Sequence, residues 1–224
     1  MKKHLNTKEF IEILYMIAEN IENNKDYFSE LDRATGDGDH GVTMSIGWNA
    51  VKEKLSEITD ELTFDKICMQ VASSFLSSVG ASAGPLYATA LMRGGAKLRD
   101  LKIINSSQIA EFFFAAANGI KERGKAELGD KTMLDVWLPA AEAIKKASET
   151  HEDLIEILNQ GSAKANESMI STKNMLSKKG RSSKLGARSI GHIDPGAASS
   201  EMIIRTFYEK VKSLNTSWLN LKKI

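Results

Sequence analysis

Apolar residues recur along this chain in steps of three and four, the spacing that lets one face of a helix bury itself. Asn6 and Glu9 make a capping-box pair ahead of a stripe at Phe10, Ile13, Leu14, Ile17 and Ile21. A second stripe runs through Met44, Trp48, Val51, Leu55 and Ile58, and a third through Phe64, Ile67, Val71 and Phe75. Pro85 suits the first turn of a fourth helix that carries Leu91 and Leu98. Ser106 or Ser107 caps a fifth, with Ile109, Phe112, Phe113, Ala116 and Ile120 on its face. Thr132 or Asp130 opens a sixth, marked by Leu134, Trp137, Leu138, Ala141 and Ile144. The seventh begins near Glu152 and carries Leu154, Ile155, Leu158, Ala165 and Met169; the eighth starts around Pro195 and holds Ile203, Phe207 and Val211. Strand-like alternation is nearly absent. The pattern predicts an all-α fold, eight antiparallel helices in an up-and-down bundle or barrel, forming one domain over residues 1–224.

The connections fall into two classes. Residues 56–62, 99–106 and 148–153 are ordinary in composition, whereas 31–41, 80–85, 124–132 and 178–196 are rich in Gly, Asp, Ser and Arg. In an up-and-down bundle alternate connections share one end, so the four unusual ones are expected to meet at a single pole. That pole is the candidate site.

Composition narrows what it does. Lys and Arg number 30 against 29 Asp and Glu, a net charge of +1, so no field favours nucleic acid or a membrane surface. Cys68, the only cysteine, lies between Ile67 and Met69 and is read as a small core residue. The first six residues are not followed by an apolar leader segment, and the most apolar stretch, 112–120, falls far short of the ~20 residues of a span. A soluble, cytoplasmic protein is expected.

Asp32, Asp37 and Asp39 crowd three carboxylates into eight positions, interleaved with Gly36, Gly38 and Gly41. Like charges held together need a cation. An oxygen-only donor set points to magnesium, manganese or calcium, and the calcium-loop pattern fails because the twelfth position from Asp37 is Trp48. Magnesium with phosphate is the better fit; a simple Asx-type turn is the alternative. Gly41 and Pro85 sit where helices begin, and free amides there suit polyphosphate oxygens. Gly80 and Gly84 allow a close backbone approach with Ser82 as a donor, or else serve a tight helix–helix turn. Met133 lies against a flat adenine ring or in the core. Residues 178–196 carry five Lys and Arg, among them Arg181 and Arg188, and read as a lid over an anion or as a floppy basic loop. His40 and His192 are assigned hydrogen-bonding roles. No nucleophile with its base is found, so no catalytic residue is assigned.

Several of these segments together resemble the L subunit of dihydroxyacetone kinases (DhaL) over almost the whole chain. They are Gly-Asp-Gly-Asp-His-Gly at 36–41, Gly84-Pro85-Leu86, Gly129-Asp130-Lys131-Thr132-Met133, Lys179-Gly180-Arg181 and the run from Arg188 to Gly196. The resemblance implies an eight-helix barrel with ADP or ATP at one end. It implies two magnesium ions on Asp32, Asp37 and Asp39, with His40, Gly41, Val42 and Thr43 following along the nucleotide. Ser82, Ala83, Gly124, Met133, Arg181, Asp194, Pro195 and Gly196 would complete the pocket. One departure stands out: Gly80-Ala81-Ser82-Ala83-Gly84-Pro85 replaces the family's Gly-Gly-Ala-Ser-Gly-Pro, shifting the serine by one position.

The family has a form fused to a ketose-binding K domain and a form in which L is a separate chain that retains ADP. In the latter, a subunit of the phosphoenolpyruvate:sugar phosphotransferase system rephosphorylates the ADP. Because the sequence stops at Ile224, the separate form is expected here. The implied partners are a K subunit, a phosphotransferase-system donor subunit, a transcriptional regulator, and a second copy in a homodimer. An ATP-dependent ketose kinase module, a nucleotide-sensing regulatory subunit, and a kinase for erythrulose or another short ketose are the competing readings.

Overall fold

The computed structural model describes the backbone of residues 1–221 and the side chains through residue 215. Nine α-helices are found among the described residues: α1 (Thr7–Asn23), α2 (Lys25–Arg33), α3 (His40–Leu55), α4 (Phe64–Ser78), α5 (Ala83–Ala96), α6 (Ser106–Gly124), α7 (Leu134–Ser148), α8 (Leu154–Ser171) and α9 (Pro195–Leu221). The sequence pattern predicts eight. The extra one is α2, which follows a break at Asn24, where the backbone leaves helical geometry and the side chain donates to Asn20 O at 2.8 Å. Leu31, Asp32 and Arg33, expected in a loop, are therefore the last turn of α2.

The apolar stripes lie where the periodicity puts them. Phe10, Ile13, Leu14, Ile17 and Ile21 are all buried, as are Met44, Trp48, Val51 and Leu55; Leu91, Ile155 and Met169 are only half-buried. Phe10, Phe64, Phe112, Phe113 and Phe207 interlock as tilted and edge-on rings 5.1–6.2 Å apart. Four helices, α1, α4, α6 and α9, are thereby tied into one core, since aromatic pairs in these geometries add to the burial of their area. Cys68 is buried, and burial pushes its thiol up.

Helix packing follows chain order. α1 packs on α3, each helix from α3 to α8 on its successor, and α9 returns to α1, so the contacts close on themselves; α2 lies against α3 and α9. Two two-residue strands, β1 (Leu5–Asn6) and β2 (Ile103–Ile104), pair antiparallel beside the start of α1.

Helix starts differ from expectation in small ways that have local causes. The Asn6–Glu9 capping box is present. Helix α6 is capped by Asn105, not Ser106 or Ser107, because Asn105 and Gln108 exchange side-chain and backbone bonds of 2.9 and 3.1 Å. Helix α7 begins at Leu134, just after Thr132, whose hydroxyl accepts from Leu134 N. Asp153, rather than Glu152, caps α8 by accepting from Ile155 N. Residues 178–196 are not a bare loop: a turn at Thr172–Asn174 precedes them, and 3-10 turns form over Arg181–Ser189 before α9 begins at Pro195. No described helix is long and apolar enough to cross a membrane.

Candidate nucleotide and metal site

The four Gly- and Asp-rich connections meet around one cavity of about 640 Å³, as the alternation of loop composition predicts. Its size falls within the ~300–1,000 Å³ usual for a small-molecule site. Each connection contributes wall: Asp32 to Thr43, Ala81 to Tyr87, Ile120 to Met133, and Lys179 to Gly196 all supply lining residues.

On one side stand the three aspartates. Asp32, Asp37 and Asp39 each bring a carboxylate oxygen within 4.8 Å of the others. Asp32 is fixed by the end of α2, and its Oδ2 accepts from His40 N at 3.1 Å. A β-carbon at Gly36 would stand 2.3 Å from the Asp32 carboxylate, so a side chain there would push that carboxylate out of its present place. Arg181 answers the negative charge, pairing with Asp37 and, at 3.3 Å, with Asp39. All three of these side chains are about half exposed, so the pairing is weak and easily exchanged for another cation.

Behind the carboxylates lies a polar network. His40 Nε2 is 2.9 Å from Ser199 Oγ, and Tyr87 OH lies 3.2 and 3.1 Å from Ser199 Oγ and Ser200 Oγ. Burial lowers the His40 imidazole to about 4, against the pull of Asp32, so the ring is neutral and bonds without charge. The Asp194 carboxyl is pushed the other way, up to about 7, chiefly by burial. Repulsion from Asp135 adds to the rise; the bond from Ala197 N to its Oδ2, 2.8 Å, and the charge of Lys131 oppose it.

Most residues singled out from the sequence come together here. Asp32, Asp37, Asp39, His40, Thr43, Ser82, Ala83, Gly124, Met133, Arg181, Asp194, Pro195 and Gly196 all line the cavity. Gly41 and Val42 do not: Gly41 packs on α2, where a β-carbon would meet Lys25 O at 1.8 Å, and Val42 is 53% exposed. Arg188 and His192 are exposed and lie outside the lining. Ser82, despite its shifted place, reaches the cavity at the start of α5 with no side-chain cap bond of its own.

Sequence reasoning passed over Thr35, Arg123 and Lys131, which also line the cavity. It also missed Asp135, whose carboxylate takes Gly129 N at 2.5 Å and Thr132 N at 2.7 Å and shapes the third wall. An aspartate in the first turn of α7 was the available signal.

Four helices, α3, α5, α7 and α9, begin at this cavity. In the first three the residue just before the helix makes no side-chain cap bond. Although His40 N is held by Asp32 and Leu134 N by Thr132, helix starts of this kind turn their positive dipole ends to the cavity. An oxygen-only acidic cluster beside helix N-termini and an arginine suits a magnesium-bound polyphosphate.

The DAK2 domain profile matches residues 34–209. The ADP-binding subunit DhaL of the PEP-dependent dihydroxyacetone kinase of Escherichia coli K12 is 40% identical over 174 residues, covering 78% of this chain and 82% of that one. The PTS-dependent DhaL subunit of Lactococcus lactis is 36% identical over 201 residues, 90% of this chain and 96% of its own length. A DhaL subunit of Listeria innocua is 36% identical over 193 residues, 86% and 89% of the two chains. The solved dihydroxyacetone kinase of C. freundii in complex with AMP-PNP and Mg2+ superposes with a TM-score of 0.70 at 20% identity. That match covers 93% of this chain but only 35% of the kinase, and at such identity it speaks for the fold alone. By profile and by these relatives, the chain belongs to the DAK2 domain family, among the DhaL subunits of dihydroxyacetone kinases.

Proposed function

We propose that this chain is the ADP-binding, phosphoryl-carrying subunit of a phosphotransferase-system-linked kinase for dihydroxyacetone, handing the group to a ketose held on a K subunit. The observation that carries this is the convergence of Asp32, Asp37 and Asp39 with Arg181 on one cavity onto which helix N-termini open. The DhaL relatives, matched over most of their own length, support the separate-subunit form.

Asp32, Asp37 and Asp39 would hold two magnesium ions, a donor set of carboxylate oxygens that fits this cation and leaves positions for phosphate. Bound magnesium would neutralise charge on the β- and γ-phosphates. The rest is done by the chain itself. His40 N holds the Asp32 carboxylate in place, and Thr43 follows one turn along α3. Gly41 and Val42 contribute backbone only. Ser82 and Ala83 offer the start of α5; Gly124 and Met133 bound the flat end of the nucleotide; Asp194, Pro195 and Gly196 close the floor. Arg181 moves from the carboxylates to the phosphates. Phosphoryl transfer needs positioning and charge stabilisation more than a nucleophile, so the base that activates the ketose belongs to the partner.

The same reading includes an eight-helix up-and-down barrel, for which the closing of contacts from α9 back to α1 speaks. From the resemblance it takes a cytoplasmic location, a homodimer and a transcriptional regulator as a further partner. Denaturing protein purified without added nucleotide and chromatographing the supernatant tests the central claim. Near-stoichiometric ADP is the expected result; an empty protein that binds ATP only weakly would sink the retained-cofactor form.

A further inference from the structure

Among the described residues the most enclosed charge is Lys131, only 1% exposed, on a backbone at φ +62° that side chains rarely adopt. An ammonium is seldom buried without a carboxylate in contact. Here, among the described residues, its hydrogen-bond partners are two backbone carbonyls, Ser189 O and, at 3.3 Å, Met175 O. Burial lowers its pKa while the charge of Asp194 holds it up.

The two carbonyls belong to the two ends of the segment between α8 and α9. Those ends are braced to each other as well: Ser177 N donates to Ser189 Oγ at 3.0 Å, and Gly191 N to Lys173 O at 2.7 Å. Lys178 N donates to Asp130 O at 3.0 Å, so the residue before Lys131 grips the same segment. Beyond these ties, residues 179–188 are largely exposed and reach the rest of the protein through the Arg181 pairs with Asp37 and Asp39. Lys131 itself lines the cavity two positions before Met133.

We infer that Lys131 is a positioning residue that locks the base of the Arg181-bearing segment to the loop carrying Met133, so that both walls of the nucleotide cavity keep one spacing. The nucleotide part of this rests on the function proposed above; the mechanical part does not. An ammonium can bridge two carbonyls from one buried point, because it offers three donors and needs no acceptor in return. A neutral side chain of similar length would fill the space and leave both carbonyls unanswered.

Lys131→Met, made in the full chain, tests this by hydrogen-exchange mass spectrometry without nucleotide and by release of Mg-ADP. Amides of 172–191 should exchange on the order of tenfold faster while α1 and α4 keep wild-type protection, and Mg-ADP should leave on the order of tenfold sooner. Lys131→Arg, which keeps a cation and its donors, should recover part of both. Unchanged exchange in 172–191 would overturn the inference, and so would a uniform acceleration through every helix, which marks a purely structural lysine. Ser189→Ala loosens the same anchor without touching the buried charge, and should show the same local pattern at smaller size. Wild-type values for both readouts in that variant would overturn the inference even where the methionine variant fails to fold. A wild-type protein that holds no Mg-ADP would count against the proposed function and leave the exchange test standing.

Discussion

The two ends of the helix assembly are built on opposite terms. At the far end, helices α1, α6 and α8 begin under side-chain caps from Asn6, Asn105 and Asp153. Backbone groups there find partners in other connections: Thr7 N in Lys102 O, Phe64 N in Leu101 O, and Leu154 N in Lys2 O, at 2.8–3.2 Å. Charges are matched too, with Lys2 on Glu9, Lys3 on Glu152 and Lys102 on Glu61. At the site end, the residues just before α3, α5 and α7 make no side-chain cap bond, and three carboxylates face one another. Every described glycine at positive φ, Gly38, Gly129, Gly180, Gly186 and Gly191, lies in the site-end connections. One end satisfies itself and the other waits for a ligand to do so.

If the division is real, stability and binding should separate by residue. Phe113 is 1% exposed and touches the rings of Phe112, Trp137 and Phe207. Phe113→Ala is expected to cost about 3–5 kcal/mol in urea denaturation, while the folded fraction binds Mg-ADP within about twofold of wild type. Asp37→Ala should do the reverse. Its helical signal and urea midpoint should stay near wild type, while calorimetry shows Mg-ADP affinity falling on the order of 100-fold, about 2.7 kcal/mol. Tight magnesium-dependent binding in that variant would break both the comparison and the metal assignment.

The same division governs what could be read from the sequence. Periodicity located the helix faces because burial of a stripe is a property of the stripe's own residues, as Phe10 to Ile21 show. The break at Asn24 escaped it, since both sides of the break are helical and no proline or glycine marks it. Loop composition located the cavity, and the aspartates declared themselves by crowding. Lys131 and Asp135 did not, because their importance lies in contacts with backbone atoms that no side-chain pattern marks, Ser189 O far along the chain in one case and Gly129 N in the preceding loop in the other. Arg188 illustrates the opposite error: its charge and neighbours suit a phosphate, yet it stands exposed outside the cavity.

The ligand-awaiting end should also leave a mark on pH dependence. Burial raises the Asp194 carboxyl to about 7 in the folded protein, well above the ordinary carboxylate range. A carboxyl so shifted holds its proton better when folded, so its contribution is fully present below the unfolded pKa and lost as pH rises through the folded one. Asp194→Asn keeps an oxygen for Ala197 N and removes that dependence. Its stability relative to wild type should therefore climb between about pH 4 and 7 and then level off, a gain on the order of 2 kcal/mol given the residue's partial exposure. Urea midpoints across that range would show it, and a pH-independent difference would place the carboxyl in an ordinary, hydrated setting.

The smallest effect is expected where the sequence departs from the family pattern. Ser82 stands one position early, but it is the residue just before α5, it lines the cavity, and its hydroxyl makes no cap bond. The amides at the start of α5 are unaffected by the identity of that side chain. If they carry the anion contact, Ser82→Ala should weaken Mg-ADP binding by no more than about threefold, within the ~0.5–1.5 kcal/mol of one hydrogen bond. Moving the serine to the family position, Ser82→Ala with Ala83→Ser, should then bring little gain, because Ala83 is already inside the helix and lends the cavity the same backbone. A large gain from the double change would mean that the hydroxyl, not the helix start, holds the phosphate, and that this chain has given up affinity at that wall.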